Sequence, residues 1–269
     1  MTTDWDDAFA NMAYIPGSES LVDDWARDAA AFRAETNVQE VSYGPHPRAR
    51  YDLFLPEETP KGLAVFVHGG FWMMLDKSSW SHYAAGALGQ GWAVAMPSYT
   101  LTPEAKISEI TTQIGAAISH AAMQVAGPIR LAGHSAGGHL VSRMMCADTP
   151  LVTDVFTRIA HTLSISGLHD LRPLLHTKMN ATFGLTPKEA ALESAALLHP
   201  KGTPHITAWV GGDERPEFIR QSQLLALIWA GLDARITCHI DGTHNHFSVL
   251  DGLQSPTSPI TTAFVADAM

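Results

Sequence analysis

Ser135 stands in the run Gly133-His134-Ser135-Ala136-Gly137-Gly138. A short apolar stretch, Ile129–Ala132, precedes it, and a helix-compatible stretch, His139–Cys146, follows. The pattern predicts strand, sharp turn and helix, with a hydroxyl at the apex. Small flanking residues have a steric role there. The serine must accept a strained turn while strand and helix approach closely. A hydroxyl held out above a sheet end is a candidate nucleophile, provided a base and an orienting acid can reach it.

A second motif lies upstream. His68-Gly69-Gly70-Phe71-Trp72 follows the apolar run Leu63–Val67. Glycines after a strand leave backbone N–H groups free to point at a ligand, which suits them to stabilise an oxyanion. A third piece, Pro97-Ser98-Tyr99-Thr100-Leu101-Thr102-Pro103-Glu104, follows the run Trp92–Met96.

With these three motifs the chain resembles the α/β-hydrolases of the hormone-sensitive-lipase-like branch. Within that branch the HGGxW form is similar to the kynurenine formamidase (arylformamidase) and small-carboxylesterase group. The resemblance runs from about Tyr43 to the C-terminus. It implies a serine hydrolase that cleaves small carboxylic esters or activated amides, N-formylkynurenine among them, through an acyl-enzyme and without a cofactor. It also implies the chain order nucleophile, acid, base. Ser135 must then be followed by a carboxylate after the penultimate strand and a histidine after the last.

Two carboxylates compete in the first slot, within Gly211-Gly212-Asp213-Glu214-Arg215-Pro216-Glu217-Phe218. Aspartate is the commoner acid, which favours Asp213. The register of the resembling group, counted from Gly211 and back from Pro216, picks Glu214. Glu217 reads as a favourable charge near a helix N-terminus. Two histidines compete in the second slot, within Asp241-Gly242-Thr243-His244-Asn245-His246-Phe247. The His-Phe ending of the group picks His246, leaving His244 as a pocket or loop residue. The resemblance assigns oxyanion donors to the N–H groups of Ala136, Gly70 and Phe71, with Gly69 serving the loop's backbone conformation. Trp72 is a candidate to flank the substrate, and His68 and His134 are read as structural. With 14 histidines a metal deserves a test. His244 and His246 form a possible pair, but no further ligand spacing supports them, so no metal is expected.

The bulk composition bounds the setting. The chain has 269 residues, 46% hydrophobic and 16% charged, with a formal net charge of −10. Such a charge argues against nucleic acid or an anionic membrane as partner. Two cysteines, Cys146 and Cys238, are too few for a disulfide framework and read as buried thiols. No secretory pattern opens the chain and no apolar run is long enough to span a bilayer, so a cytoplasmic protein is expected. By the resemblance its partner is a small-molecule ester or amide, and nothing in the sequence sets the oligomeric state.

The elements that must position these residues follow from periodicity. Strand-like runs fall at 38–43, 50–55, 63–67, 92–96, 129–132, 161–165, 205–210 and 235–240. After the first two they alternate with helix-compatible sequence, which predicts an α/β fold: eight strands, mostly parallel, flanked by helices. Helices are expected over Ser78–Leu88, Lys106–Val125, His139–Cys146, Pro216–Ala230 and Pro259–Ala268. No linker interrupts residues 1–269, so one domain is expected. Segments 4–35 and 171–200 fall outside the alternation and carry many apolar residues. By the resemblance they form a small helical lid over a small or shallow pocket. Two rival readings remain: a thioesterase, and a non-catalytic relative of the same fold that only binds.

Overall fold

A computed structural model describes residues 3–265. Its centre is an eight-stranded sheet in the order β1-β2-β4-β3-β5-β6-β7-β8. The strands are β1 (Val38–Ser42), β2 (Arg50–Phe54), β3 (Leu63–Val67), β4 (Ala93–Pro97), β5 (Ile129–His134), β6 (Ile159–Ile165), β7 (His205–Gly211) and β8 (Arg235–Asp241). β2 runs antiparallel to both β1 and β4, and all other pairings are parallel. Expected and observed strand bounds differ by no more than two residues at any end. Only the final residues of the last expected helix, 266–268, lie outside the described residues.

Parallel strands are covered on both faces, so they read as continuous apolar runs. β3 shows how one run feeds two cores. Leu63, Val65 and Val67 join the cluster under the helices Ile107–Gln124, Ala136–Arg143 and Pro216–Ala230. Ala64 and Phe66 join the cluster on the other face, with Trp25, Trp80, Ile260 and Phe264. The helix Ile107–Gln124 buries Ile107, Ile110, Ile114 and Ile118, the three- and four-residue spacing of one apolar stripe.

Two local expectations are corrected. The span 78–88 is not one helix: it is two 3₁₀ turns, Lys77–Ser79 and Ser81–Ala84, followed by the short helix Ala85–Gly89. The helix after Ser135 begins at Ala136 rather than His139. Gly137 and Gly138 weaken that helix by propensity, yet contact requires them. A Cβ on Gly137 would lie 1.9 Å from the Val67 carbonyl oxygen, so only glycine lets this helix cross β3. Of the two thiols, Cys146 is buried, whereas Cys238 on the edge strand β8 is half-buried.

Candidate active site

The sheet order brings four loops to one edge: those after β3, β5, β7 and β8. Ser135 follows β5 with φ 56° and ψ −114°, a region that L-residues avoid and that costs about 1–3 kcal/mol. The tight turn places the serine at the start of the helix Ala136–Arg143. The β3 loop folds against it. A Cβ on Gly69 would sit 3.1 Å from Ser135 Cβ, so Gly69 serves close approach. Gly70 is the residue with the special backbone, at φ +106°.

Beyond Gly70 the loop continues with positive φ at Phe71 (48°) and Trp72 (55°). This turn sends the two aromatic side chains to different places. Phe71 lines a cavity of about 290 Å³ that also contains Ser135 and His246. Trp72 does not line it. Its indole is fully buried and meets His139 and Phe183 edge-on, with centroids 5.1 and 5.8 Å away. The expectation that Trp72 flanks substrate is therefore corrected: the residue anchors the loop from the core side. Its carbonyl accepts from the Thr102 N–H at 2.8 Å. Tyr99 adds a second tie, stacked on His68 at 4.4 Å and donating its hydroxyl to the His68 carbonyl. The motif at residues 97–104 thus holds the β3 loop in place.

The loop after β7 carries both candidate acids. Asp213 is exposed. Glu214 is buried, and its Oε2 accepts from His246 Nδ1–H at 2.6 Å. Its Oε1 accepts from the Gly211 N–H at 2.8 Å and from the Ser166 hydroxyl. Glu217 points elsewhere, paired with Arg220. On the β8 loop His246 is buried, whereas His244 is exposed, its Nδ1 3.3 Å from Ser248 Oγ.

Ser166 was not singled out by the sequence. It follows β6 with φ 51° and fixes the free oxygen of Glu214. A polar residue just past a strand that pairs with β7 is the available signal.

Two further histidines frame the site. His134 Nε2–H donates to the His246 carbonyl at 2.8 Å, and burial holds its pKa well below the usual histidine value. His68 donates Nδ1–H to the Gly69 carbonyl at 2.7 Å, and burial lowers its pKa to about 4. Both rings stay neutral at neutral pH and act as fixed hydrogen-bond donors. Among the described residues, the N–H groups of Gly70, Phe71 and Ala136 have no hydrogen-bond acceptor. No group of three or more His, Cys, Asp and Glu among the described residues could hold a metal ion. None of the described helices is long and apolar enough to cross a membrane.

The cavity walls are mostly apolar, with Phe9, Trp25, Phe71, Trp80 and Phe247 among them. Trp25 stacks on Trp80 at 4.8 Å and meets Phe247 at 5.0 Å. Residues 9–13, Val22 and Trp25 of the N-terminal segment line the cavity. The segment 171–200 supplies none of the lining residues, contrary to expectation. It packs on the face that carries the helix Ile107–Gln124. Glu193 accepts there from Thr111 Oγ1 at 2.7 Å and Arg143 Nε at 3.2 Å.

A mostly parallel eight-stranded sheet with a strained serine between β5 and its helix, and a histidine–carboxylate pair after the last two strands, defines an α/β-hydrolase fold. The chain belongs to the BD-FAE family, which matches residues 51–192. It is an enzyme of the hydrolase class. A crystal structure from Silicibacter sp. TM1040, described as a candidate thioesterase, is 47% identical; the match covers 98% of this chain and all of that one, with a TM-score of 0.93. Kynurenine formamidase of Danio rerio is 27% identical over 80% of this chain and 76% of its own length. An esterase from Pyrobaculum calidifontis shares the fold at 16% identity, with a TM-score of 0.71 over 91% of this chain and 90% of its own.

Proposed function

We propose that the chain is a serine hydrolase of small carboxylic esters or formamides, working through an acyl-enzyme. The contact between Glu214 and His246, beside the cavity that holds Ser135, carries this reading. Glu214 fixes the tautomer in which His246 Nδ1 bears the proton, leaving Nε2 free as a base. His246 takes the proton of the Ser135 hydroxyl as Oγ attacks the carbonyl carbon. It then delivers that proton to the leaving alcohol or amine. Water repeats the sequence on the acyl-enzyme and releases the acid. The tetrahedral oxyanion is held by the N–H groups of Gly70, Phe71 and Ala136, each worth about 3 kcal/mol of transition-state stabilisation.

The cavity supports a small substrate. At about 290 Å³ it lies at the low end for ligand sites. Relatives named kynurenine formamidase and neighbours named esterase support ester and formamide bonds alike. The 47% identical neighbour, described as a candidate thioesterase, keeps thioesters as the second reading.

The test is a side-by-side assay of the pure protein on p-nitrophenyl acetate, longer-chain esters, an acetyl thioester and N-formylkynurenine, together with a fluorophosphonate probe. The expected result is labelling at Ser135 and a kcat/KM that favours short esters or the formamide. Failure to label, with no turnover of any of these, would remove the serine mechanism.

A further inference from the structure

We propose that Asn11 is a specificity-determining residue that hydrogen-bonds an uncharged polar group of the substrate. This deepens the serine-hydrolase reading above and rests on it. Asn11 lies on the N-terminal segment, between Phe9 and Met12, and lines the cavity shared by Ser135 and His246. It is 6% exposed. Neither its Nδ2 nor its Oδ1 has a hydrogen-bond partner among the described residues. Its backbone is fully engaged: the N–H donates to the Phe9 carbonyl, and its own carbonyl accepts from Tyr14.

A primary amide offers two donors and an acceptor. Buried amides in folded proteins almost always find partners, because leaving one without them is unfavourable. An apolar side chain would fill this position at no such cost. The amide therefore points to a ligand group that carries a complementary donor and acceptor.

The rest of the lining sets the charge of that group. No Asp, Glu, Lys or Arg is among the cavity's lining residues. A substrate carboxylate or ammonium placed there would be desolvated without a counter-charge, which a site of this kind disfavours strongly. Aromatic walls from Trp25, Trp80, Phe71 and Phe247 suit a flat or apolar body. The substrate class is thus an uncharged ester or amide whose apolar body carries a neutral carboxamide-like group. A substrate with a free amino acid end must leave that end outside the cavity.

Three aryl esters test this: phenyl acetate, 4-carbamoylphenyl acetate and 4-carboxyphenyl acetate. A parallel series carries the same groups on the acyl side. The readout is the ratio of kcat/KM for the carbamoyl ester to that for the plain ester, compared between wild type and Asn11→Leu so that intrinsic reactivity cancels. In one of the two series that ratio should fall about tenfold in the variant, the size expected when one buried hydrogen-bonded pair is lost. Asn11→Asp, which keeps the shape but adds charge, should lose the same preference and handle the carboxy ester worse still. Thermal unfolding provides a second measurement. Asn11→Leu should leave Tm level or raise it, because it removes an unpartnered buried amide. A ratio unchanged within twofold in both series, or a Tm lowered by several degrees, would show a structural amide and overturn the assignment. Absence of turnover and of fluorophosphonate labelling in the wild type would instead take down the serine-hydrolase reading, and this proposal with it.

Discussion

Glu214 meets His246 through a single carboxylate oxygen, 2.6 Å from Nδ1, while its other oxygen is occupied by Ser166 and the Gly211 N–H. The carboxylate is held from both ends before it touches the imidazole. That division predicts a graded response. Glu214→Gln should lower kcat by about 10³–10⁴-fold, because the imidazole loses its tautomer and its countercharge. Asp213→Asn alters an exposed charge and should stay within about twofold, the range of a change that touches nothing. Ser166→Ala leaves the carboxylate in place but looser. It should cost kcat about tenfold or less with KM nearly steady, as positioning defects do. Steady-state kinetics of the three variants decide the matter, and an Asp213 variant weaker than the Glu214 variant would reassign the acid.

His246 and His244 sit two residues apart in opposite settings, one buried against Glu214 and one exposed. His246→Ala should remove most activity, by about 10³-fold or more, while His244→Ala should retain it. An enzyme inactivated at His244 and active without His246 would move the base.

How far these residues were legible in the sequence follows from what each depends on. Ser135 is set by a local pattern: a strand, two flanking glycines and a helix, all contiguous. Chain order, once the fold class is known, gives only the loops that hold Glu214 and His246; the choice over Asp213 and His244 comes from the register of the resembling group. Ser166 depends on β6 lying beside β7, a fact of sheet order that no local spacing carries. Trp72 departs from its expected place for a geometric reason. Proximity in sequence to the β3 loop suggested proximity to substrate, but consecutive positive φ angles at Phe71 and Trp72 turn one ring to the cavity and the other to the core. The segment 171–200 misled because apolar residues such as Phe183 and Leu185 serve a core face and a lid equally well. Asn11 gave no signal, being one polar residue in an apolar stretch.

Stability should fall steeply in mild acid. Burial lowers the pKa of His68 and His82 to about 4, and of His139, His161 and His169 to about 3. In the unfolded chain each takes up a proton near pH 6.5. Between that value and their folded pKa values the unfolded state holds more protons, so each such histidine removes up to about 1.4 kcal/mol of stability per pH unit. Stability from this source is whole above pH 6.5 and is lost as pH falls towards 4. Urea midpoints measured at pH 7.5, 6 and 5 should drop progressively. A midpoint constant over that range would mean these rings protonate without unfolding the chain.

The helix glycine just after the elbow offers a structural test independent of chemistry. Gly137→Ala places a Cβ where the Val67 carbonyl oxygen already stands, at 1.9 Å. Backbone yields poorly there, since Val67 is paired with Gly133 of β5. The variant should lose about 3 kcal/mol or more, or fail to fold, as severe overpacking does. Normal stability by chemical denaturation would show that the helix can slide away from β3.

Acyl-chain length should expose the role of the N-terminal roof. Residues 9–13 line the cavity, and Phe9 is buried against Phe218, whose ring in turn meets His246 at 4.4 Å. The roof is tied down by Asp7, which pairs with Arg215 and accepts from the Tyr14 hydroxyl, while Arg215 lies over the Tyr14 ring at 3.7 Å. Asp7 is 46% exposed in that pair, and such pairs contribute only about 0–1 kcal/mol, so the tie is light. A cavity this small gains about 0.8 kcal/mol per buried methylene, or roughly fourfold in kcat/KM per carbon, until it is full. Longer chains must then lift the roof. The expected profile on p-nitrophenyl esters is an optimum at short acyl groups and a steep decline beyond. Asp7→Asn loosens the tie and should raise the long-to-short ratio. Removing residues 3–15 should raise it further. The deletion must stop there, because the following helix buries Trp25 and its Arg33 pairs with the buried Asp52. A profile that climbs steadily to long chains in the wild type, or one that neither change alters in a folded protein, would show that residues 9–13 do not gate the cavity.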